Sequence, residues 1–213
     1  MIRLSIIVAA TTVNGIGKNG RLPWHIREDM RFFAHVTQNA PEGTQNAVIM
    51  GRKTWESIPA KNRPLSKRLN IVISNNPNYK LYVFSDWTKH PQHEPLYSRN
   101  AAPETAVLVS SLKEALHLKP TVPIHRAFIM GGASLYHETL KPSPEAQVDR
   151  VLVTRITAPV YDCDTVMPEF KAEGKWKQES HQALVEWVES DIPAGVQKQK
   201  DGTEYEFQLW TRQ

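Results

Sequence analysis

Ala47-Val48-Ile49-Met50-Gly51-Arg52-Lys53-Thr54-Trp55-Glu56-Ser57-Ile58-Pro59 turns from an unbroken apolar run into a polar, helix-opening segment within a few residues. An apolar run that does not alternate marks a strand covered on both faces, and a helix following it is the unit from which α/β sheets are built. Runs of the same type, rich in β-branched residues, recur at Leu4–Ala10, Ile71–Ser74, Leu81–Phe84, Ala106–Val109, Ala127–Met130 and Arg150–Ile156. Helical patterns lie between them at Ile26–Thr37, in a short turn after Thr54, at Ser111–His117 with a Ser111 to Glu114 capping box, and at Ala133–Leu140. In the tail, Trp176–Val188 and Thr203–Thr211 read as extended and partly alternating, separated by a connection at Ile192–Gly202, which predicts a C-terminal antiparallel hairpin. Residues 86–105, rich in Pro, His, Ser and Asn, predict a surface excursion within one α/β domain spanning residues 1–213.

The 213 residues, 40% hydrophobic and 23% charged, suit a globular chain of one domain. No apolar stretch approaches the roughly 20 residues of a membrane span, so a soluble protein with no membrane partner is expected. The segment Met1–Ala10 reads as a buried first strand rather than a secretory signal. Cys163 is the lone cysteine, with no partner for a disulfide or a zinc site. That predicts a cytoplasmic protein without metal, a mitochondrial or nuclear pool being the alternative. The net charge of +4 favours anionic ligands, but no long basic run or aromatic repeat points to nucleic acid.

Gly15-Ile16-Gly17-Lys18-Asn19-Gly20 satisfies the spacing of a dinucleotide fingerprint, whose mechanism needs a helix to begin at once and hold the pyrophosphate at its N-terminus. Arg21-Leu22-Pro23-Trp24 follows instead, and Pro23 biases Leu22 away from helix. The glycines read better as a loop beside a site.

On the helix from Ile26, positions 26, 30, 33, 34 and 37 share an arc, with Asp29 on its edge between Ile26 and Phe33, while Glu28 falls on the polar face near Arg31 and His35. Asp29 is therefore the carboxylate of the pair for an apolar pocket, where its pKa should rise and an N–H-rich heterocycle would partner it. The plainer alternative is a cap or salt bridge with Arg27 or Arg31. Arg52, Lys53 and Thr54 put two cations and a hydroxyl at a helix opening, a candidate anion site. Gly131 and Gly132, ahead of Ala133-Ser134-Leu135-Tyr136, let phosphates approach the backbone. Two such sites suit a dinucleotide with a 2′-phosphate and a pyrophosphate, although each taken singly also fits a solvated turn.

Leu22-Pro23-Trp24, Asp29, the Gly51–Pro59 stretch, Arg63-Pro64-Leu65, Arg68 and Met130-Gly131-Gly132, in this order and over nearly the whole chain, resemble the dihydrofolate reductase family, in particular its eukaryotic and fungal members. The resemblance implies a mixed, mostly parallel eight-stranded sheet flanked by helices, with an adenosine-binding subdomain at about residues 45–110. It also implies NADPH as cofactor and dihydrofolate or folate as substrate, hydride passing to pterin C6 to give tetrahydrofolate for one-carbon metabolism. Antifolates would bind, and the chain would work as a monomer.

By the same resemblance Asp29, Thr154 and Trp24 are catalytic: the carboxylate bonds the pterin, the hydroxyl bonds the carboxylate, and the indole helps hold a water. Ile7, Val8, Met30, Phe33, Ile58, Leu65 and Met130 would line the pterin and benzoyl pocket, with plain core as their other reading. Arg68 would bind the α-carboxylate of the glutamate tail. Ala9, Ile16 and Gly17 would meet the nicotinamide, and Gly131, Gly132, Ala133, Ser134, Leu135 and Tyr136 the pyrophosphate. Arg52, Lys53, Thr54 and Ser74 would meet the adenosine phosphates. Asn75 stands where several relatives carry a basic residue, which places more of the 2′-phosphate on Arg52 and Lys53. Competing functions are a riboflavin-pathway pyrimidine reductase on the same scaffold and a non-catalytic NADPH-binding module; Trp24, Asp29 and Arg68 together argue against the first, and the presence of Asp29 against the second.

Overall fold

The computed structural model describes residues 2–81, 105–172 and 174–213. In chain order the elements are β1 (Ile2–Thr11), β2 (Gly15–Gly17), α1 (Arg27–Gln38), β3 (Gln45–Gly51), α2 (Arg52–Ser57), a 3-10 turn (Ala60–Asn62), β4 (Arg68–Ile73), β5 (Ala106–Val109), α3 (Leu112–Leu116), β6 (Ile124–Ile129), α4 (Ala133–Leu140), β7 (Ala146–Ala158), β8 (Thr165–Val166), β9 (Trp176–Gln178), α5 (His181–Val188), β10 (Gln197–Lys198) and β11 (Glu204–Arg212). They fall into two compact units, residues 1–36 with 129–213, and residues 37–128. No helix among the described residues is long and apolar enough to cross a membrane.

In the first unit the strand order is β10-β11-β7-β1, with β9 also paired to β11. β1 and β7 run parallel, while β11 is antiparallel to β7, β9 and β10. The β1–β7 register shifts once: Leu4 pairs with Val148 and Ser5 with Arg150, leaving Asp149 as the extra residue of a bulge. Beyond it Ala9 lies opposite Thr154 and Ala10 opposite Arg155. Residues 151–156 of β7 are all buried, as the unbroken apolar run requires, and the run includes one charged side chain, Arg155.

The second unit has the order β6-β3-β4-β5, with β3, β4 and β5 parallel. Four principal strands in each unit make up the expected mixed, mostly parallel eight, with β9 in addition. α3 starts as expected, Ser111 Oγ accepting from Glu114 N at 3.2 Å. Glu114 reaches back one residue further than a capping box requires, accepting from Ser110 N and Ser110 Oγ at 2.7 Å each.

Three expectations need correction. Of Trp176–Val188 only Trp176–Gln178 is strand; His181–Val188 is α5, capped by Ser180 Oγ on Ala183 N at 3.2 Å, with Leu184 and Val188 buried on one face. The C-terminal hairpin exists, but its first arm is β10, inside the stretch read as a connection. On α1 the buried positions are Asp29, Phe32, Val36 and Thr37, whereas Met30 is 44% exposed, because Phe32 rather than Phe33 packs inward, its ring 4.4 Å from that of Phe207. Leu81 is described and is not in a strand; the rest of Leu81–Phe84, and residues 86–104 of the surface excursion, lie outside the described residues.

Candidate active site

Asp29 sits in the first turn of α1 and is 5% exposed. Thr154 in β7, itself 2% exposed, donates its hydroxyl to Asp29 Oδ1 at 2.6 Å. Taking an ionised carboxylate out of water costs several kcal/mol, and a hydrogen bond to a charged group returns about 1.5–3 kcal/mol, so burial wins. Accordingly, burial pushes the Asp29 carboxyl up to about 6 against the downward pull of Thr154. The carboxylate makes no other hydrogen bond among the described residues, and Oδ2 is left for a ligand. The alternative of a salt bridge falls to Glu28 instead, which lies 3.9 Å from Arg31 on the exposed side of the helix.

Trp24 precedes α1, is 6% exposed and stands edge-on to Tyr161 at 5.4 Å. Its Nε1 is buried and has no partner among the described residues, although a buried indole N–H ordinarily finds one. A donor so placed fits an acceptor brought by water or substrate. Ile7 and Val8 are buried in β1, whereas Met30, at 44% exposure, and Phe33 and Met130, both half-buried, are not plain core.

Next to them the chain leaves β6 through Met130-Gly131-Gly132 into α4. Gly131 has φ of 110°, and a Cβ there would stand 3.1 Å from Tyr136 Oη, so both backbone and space require glycine. The N-cap of α4, Gly132, supplies no side-chain acceptor to the first-turn amides, and Ser134 is exposed beside them. Such a helix start fits a phosphate, and to that extent the residues suit a dinucleotide cofactor. Leu135 and Tyr136 point inward, the Tyr136 hydroxyl donating to the Ile7 carbonyl at 3.2 Å, so what they can offer a pyrophosphate is backbone.

β2 carries the other cofactor candidates, with Ile16 half-buried and Gly17 buried, and pairs with β8. The Gly17 carbonyl accepts from Asp164 N at 3.1 Å, the Asp164 carboxylate accepts from Asn19 N at 2.8 Å, and Lys18 bonds Asp162 at 2.7 Å. No helix starts until Arg27, so the glycine fingerprint has no helix N-terminus behind it, as Pro23 foretells. Ala9, half-buried, stands in β1 opposite Thr154.

In the second unit Arg68 is 5% exposed at the start of β4. It donates through Nε to the Ser66 carbonyl at 2.9 Å and through Nη1 to Thr37 Oγ1, a partner the sequence reading misses. Burial lowers the Arg68 pKa to about 10, which leaves it cationic at neutral pH. Ile58 and Leu65 are half-buried. Arg52 Nη1 is held by both oxygens of Glu56, at 2.9 and 3.1 Å, and its guanidinium lies 5.6 Å from the Tyr79 ring centre. Lys53 and Asn75 are exposed, Thr54 is half-buried, and the buried Ser74 accepts from Asn76 N at 3.3 Å. Among the described residues no cluster of His, Cys, Asp or Glu could hold a metal ion.

A family model described as dihydrofolate reductase matches residues 3–197. The chain is similar to the dihydrofolate reductase of Pneumocystis carinii, 36% identical over 98% of this chain and 96% of that protein. With that of Cryptococcus neoformans it shares 34% identity over 97% and 93%. Among solved structures it resembles Schistosoma mansoni dihydrofolate reductase, with a TM-score of 0.73 and 34% identity over 100% of this chain and 99% of that one.

Proposed function

The chain belongs to the dihydrofolate reductase family and reduces dihydrofolate to tetrahydrofolate with NADPH; from that premise we propose that Asp29, Thr154 and Trp24 form its reacting end. The observation that carries this assignment is the buried Asp29 carboxylate, anchored through Oδ1 by Thr154 and open at Oδ2. An anchored carboxylate accepts from the 2-amino group and N3–H of a pterin in one orientation only, which fixes the ring face offered for reduction. Its raised pKa lets it share a proton with the ring near neutral pH rather than hold a fixed charge. Trp24 Nε1 orients the water that delivers the proton to N5. When bound, NADPH supplies the hydride from its nicotinamide ring.

The remaining assignments follow the units. In the first, Ile7, Val8, Met30, Phe33 and Met130 enclose the pterin and exclude water, Ala9, Ile16 and Gly17 meet the nicotinamide, and residues 131–136 meet the pyrophosphate through backbone. In the second, Ile58 and Leu65 meet the benzoyl group and Arg68 takes the tail carboxylate. Arg52, Lys53, Thr54, Ser74 and Asn75 take the adenosine phosphates, which makes this unit, residues 37–128, the adenosine-binding one.

The test is loss of the near-ultraviolet absorbance of NADPH on adding dihydrofolate to the purified chain, with a tail-less pterin and NADH as controls. Oxidation that needs both NADPH and dihydrofolate, and that Asp29→Asn abolishes while cofactor binding survives, supports the assignment. Equal loss of cofactor affinity in that variant contradicts it.

A further inference from the structure

Arg155 is buried at 5% exposure in the middle of β7 and has no part in the proposed contacts to substrate or cofactor. An apolar side chain would be cheaper to bury there, since a guanidinium must recover several kcal/mol of desolvation from its partners. Glu169 and Glu206 add favourable charge and Nη2 has no hydrogen-bond partner among the described residues, so the hydrogen bonds that Arg155 does make both go to one turn. Nη1 donates to the Thr11 carbonyl at 2.5 Å and to Asn14 Oδ1 at 3.0 Å, and Asn14 Nδ2 in turn donates to Glu169 at 2.9 Å. Asn14, at φ of 62°, donates through its backbone N–H to the Thr11 carbonyl at 2.9 Å and accepts from Met167 N at 2.9 Å. Gly15 N donates to Thr11 Oγ1 at 2.9 Å, and a Cβ on Gly15 would stand 2.7 Å from both Cβ and Sγ of Cys163. The chain passes directly from this turn into Ile16 and Gly17.

We propose that Arg155 is a positioning residue for the nicotinamide half of the cofactor: by clamping the Thr11–Gly15 turn it fixes where Ile16 and Gly17 stand. The inference rests on the reading of Ile16 and Gly17 as nicotinamide contacts. On β7 consecutive side chains leave opposite faces of the strand, so Thr154 anchors the Asp29 carboxylate while its neighbour anchors the Thr11–Gly15 turn.

The test uses the full chain with Arg155→Met, Arg155→Lys and Asn14→Gly, the last keeping the left-handed backbone and the Arg155 bond to the Thr11 carbonyl while removing the Asn14 half of the clamp without removing a buried charge. Amide exchange of residues 12–17 is measured without cofactor, and affinities for NADPH and for 2′,5′-ADP, its adenosine half, are measured by tryptophan fluorescence. Faster exchange in Arg155→Met and Asn14→Gly, NADPH affinity lower by about tenfold or more, 2′,5′-ADP affinity within about twofold of the parent, and partial recovery in Arg155→Lys are expected. Unchanged exchange in the folded variants, or equal weakening of NADPH and 2′,5′-ADP, overturns the proposal. Ile16→Ala separates the two levels. If it weakens NADPH while the clamp variants do not, the clamp alone fails; if it too leaves NADPH affinity unchanged, the nicotinamide reading fails and the proposal with it.

Discussion

Thr154 Oγ1 stands 2.6 Å from Asp29 Oδ1 across 125 residues of sequence, and this bond is the carboxylate's anchor. Removing it in Thr154→Val leaves Asp29 buried with nothing to offset its desolvation, so its pKa moves further up. The expected result is kcat/KM for dihydrofolate lower by about tenfold or more, the worth of a bond to a charged group, and an ionisation of Asp29 displaced to higher pH. A pH–rate profile that keeps its position would show that the hydroxyl plays no part in the ionisation.

Asp29→Asn has a consequence for stability opposite in sign to its effect on turnover. The folded chain holds a proton on Asp29 more tightly than the unfolded chain, with a pKa of about 6 against 3.8. That contribution is fully present below the unfolded value and is lost as pH rises through the folded one, a loss of about 3 kcal/mol above both. The asparagine variant, which cannot ionise and still accepts from Thr154, is expected to be the more stable protein at about pH 8 and to lose its advantage near pH 4. Urea midpoints across that range measure the difference, and an advantage independent of pH would contradict the assignment of the raised pKa.

Arg68→Leu should raise the KM for dihydrofolate by about a hundredfold, at the level of a charge-assisted bidentate contact, and leave a tail-less pterin nearly unaffected. Thr37→Val should have a smaller effect of the same selectivity, because Thr37 holds the guanidinium proposed to take the tail carboxylate. Equal losses for both substrates would make the pair structural.

Arg52→Ala is expected to weaken NADPH and spare NADH. Glu56→Gln should work in the other direction, since Glu56 occupies Arg52 with two bonds at 2.9 and 3.1 Å. The pair is exposed, so release is worth at most about 1 kcal/mol and NADPH should tighten by no more than about fivefold. Tighter binding of NADH to the same extent would show that the glutamate acts elsewhere than on the 2′-phosphate.

The parts of the fold legible in the sequence are those where burial on both faces removes alternation. β1, β3, β5 and the centre of β7 read directly as apolar runs, and Asp29 stands out as a carboxylate on the edge of an apolar arc. α5 is hidden because Val185, Trp187 and Val188 carry strand propensity, and the Ser180 cap with the Leu184 to Val188 spacing is the signal that would have found it. Thr37 and Arg155 escape for another reason: their roles come from partners 31 and 144 residues away, and nothing local distinguishes them from a helix-end threonine and a strand arginine facing solvent. The assignment of the adenosine phosphates owes more to family resemblance than to pattern, since Lys53 and Asn75 are exposed polar residues of an ordinary kind.

The bulge at Asp149 makes β7 unequally tolerant of changes in length. Deleting Asp149 would turn the bulge into regular pairing and leave every later residue on its present face. Deleting any one residue from Val151 to Val153 would advance the strand by one position against β1, turn the guanidinium of Arg155 onto the face of Asp29 and carry the hydroxyl of Thr154 to the other side. Among homologues that keep both anchors, insertions and deletions in this strand should therefore collect at the bulge and be missing from the three positions Val151 to Val153.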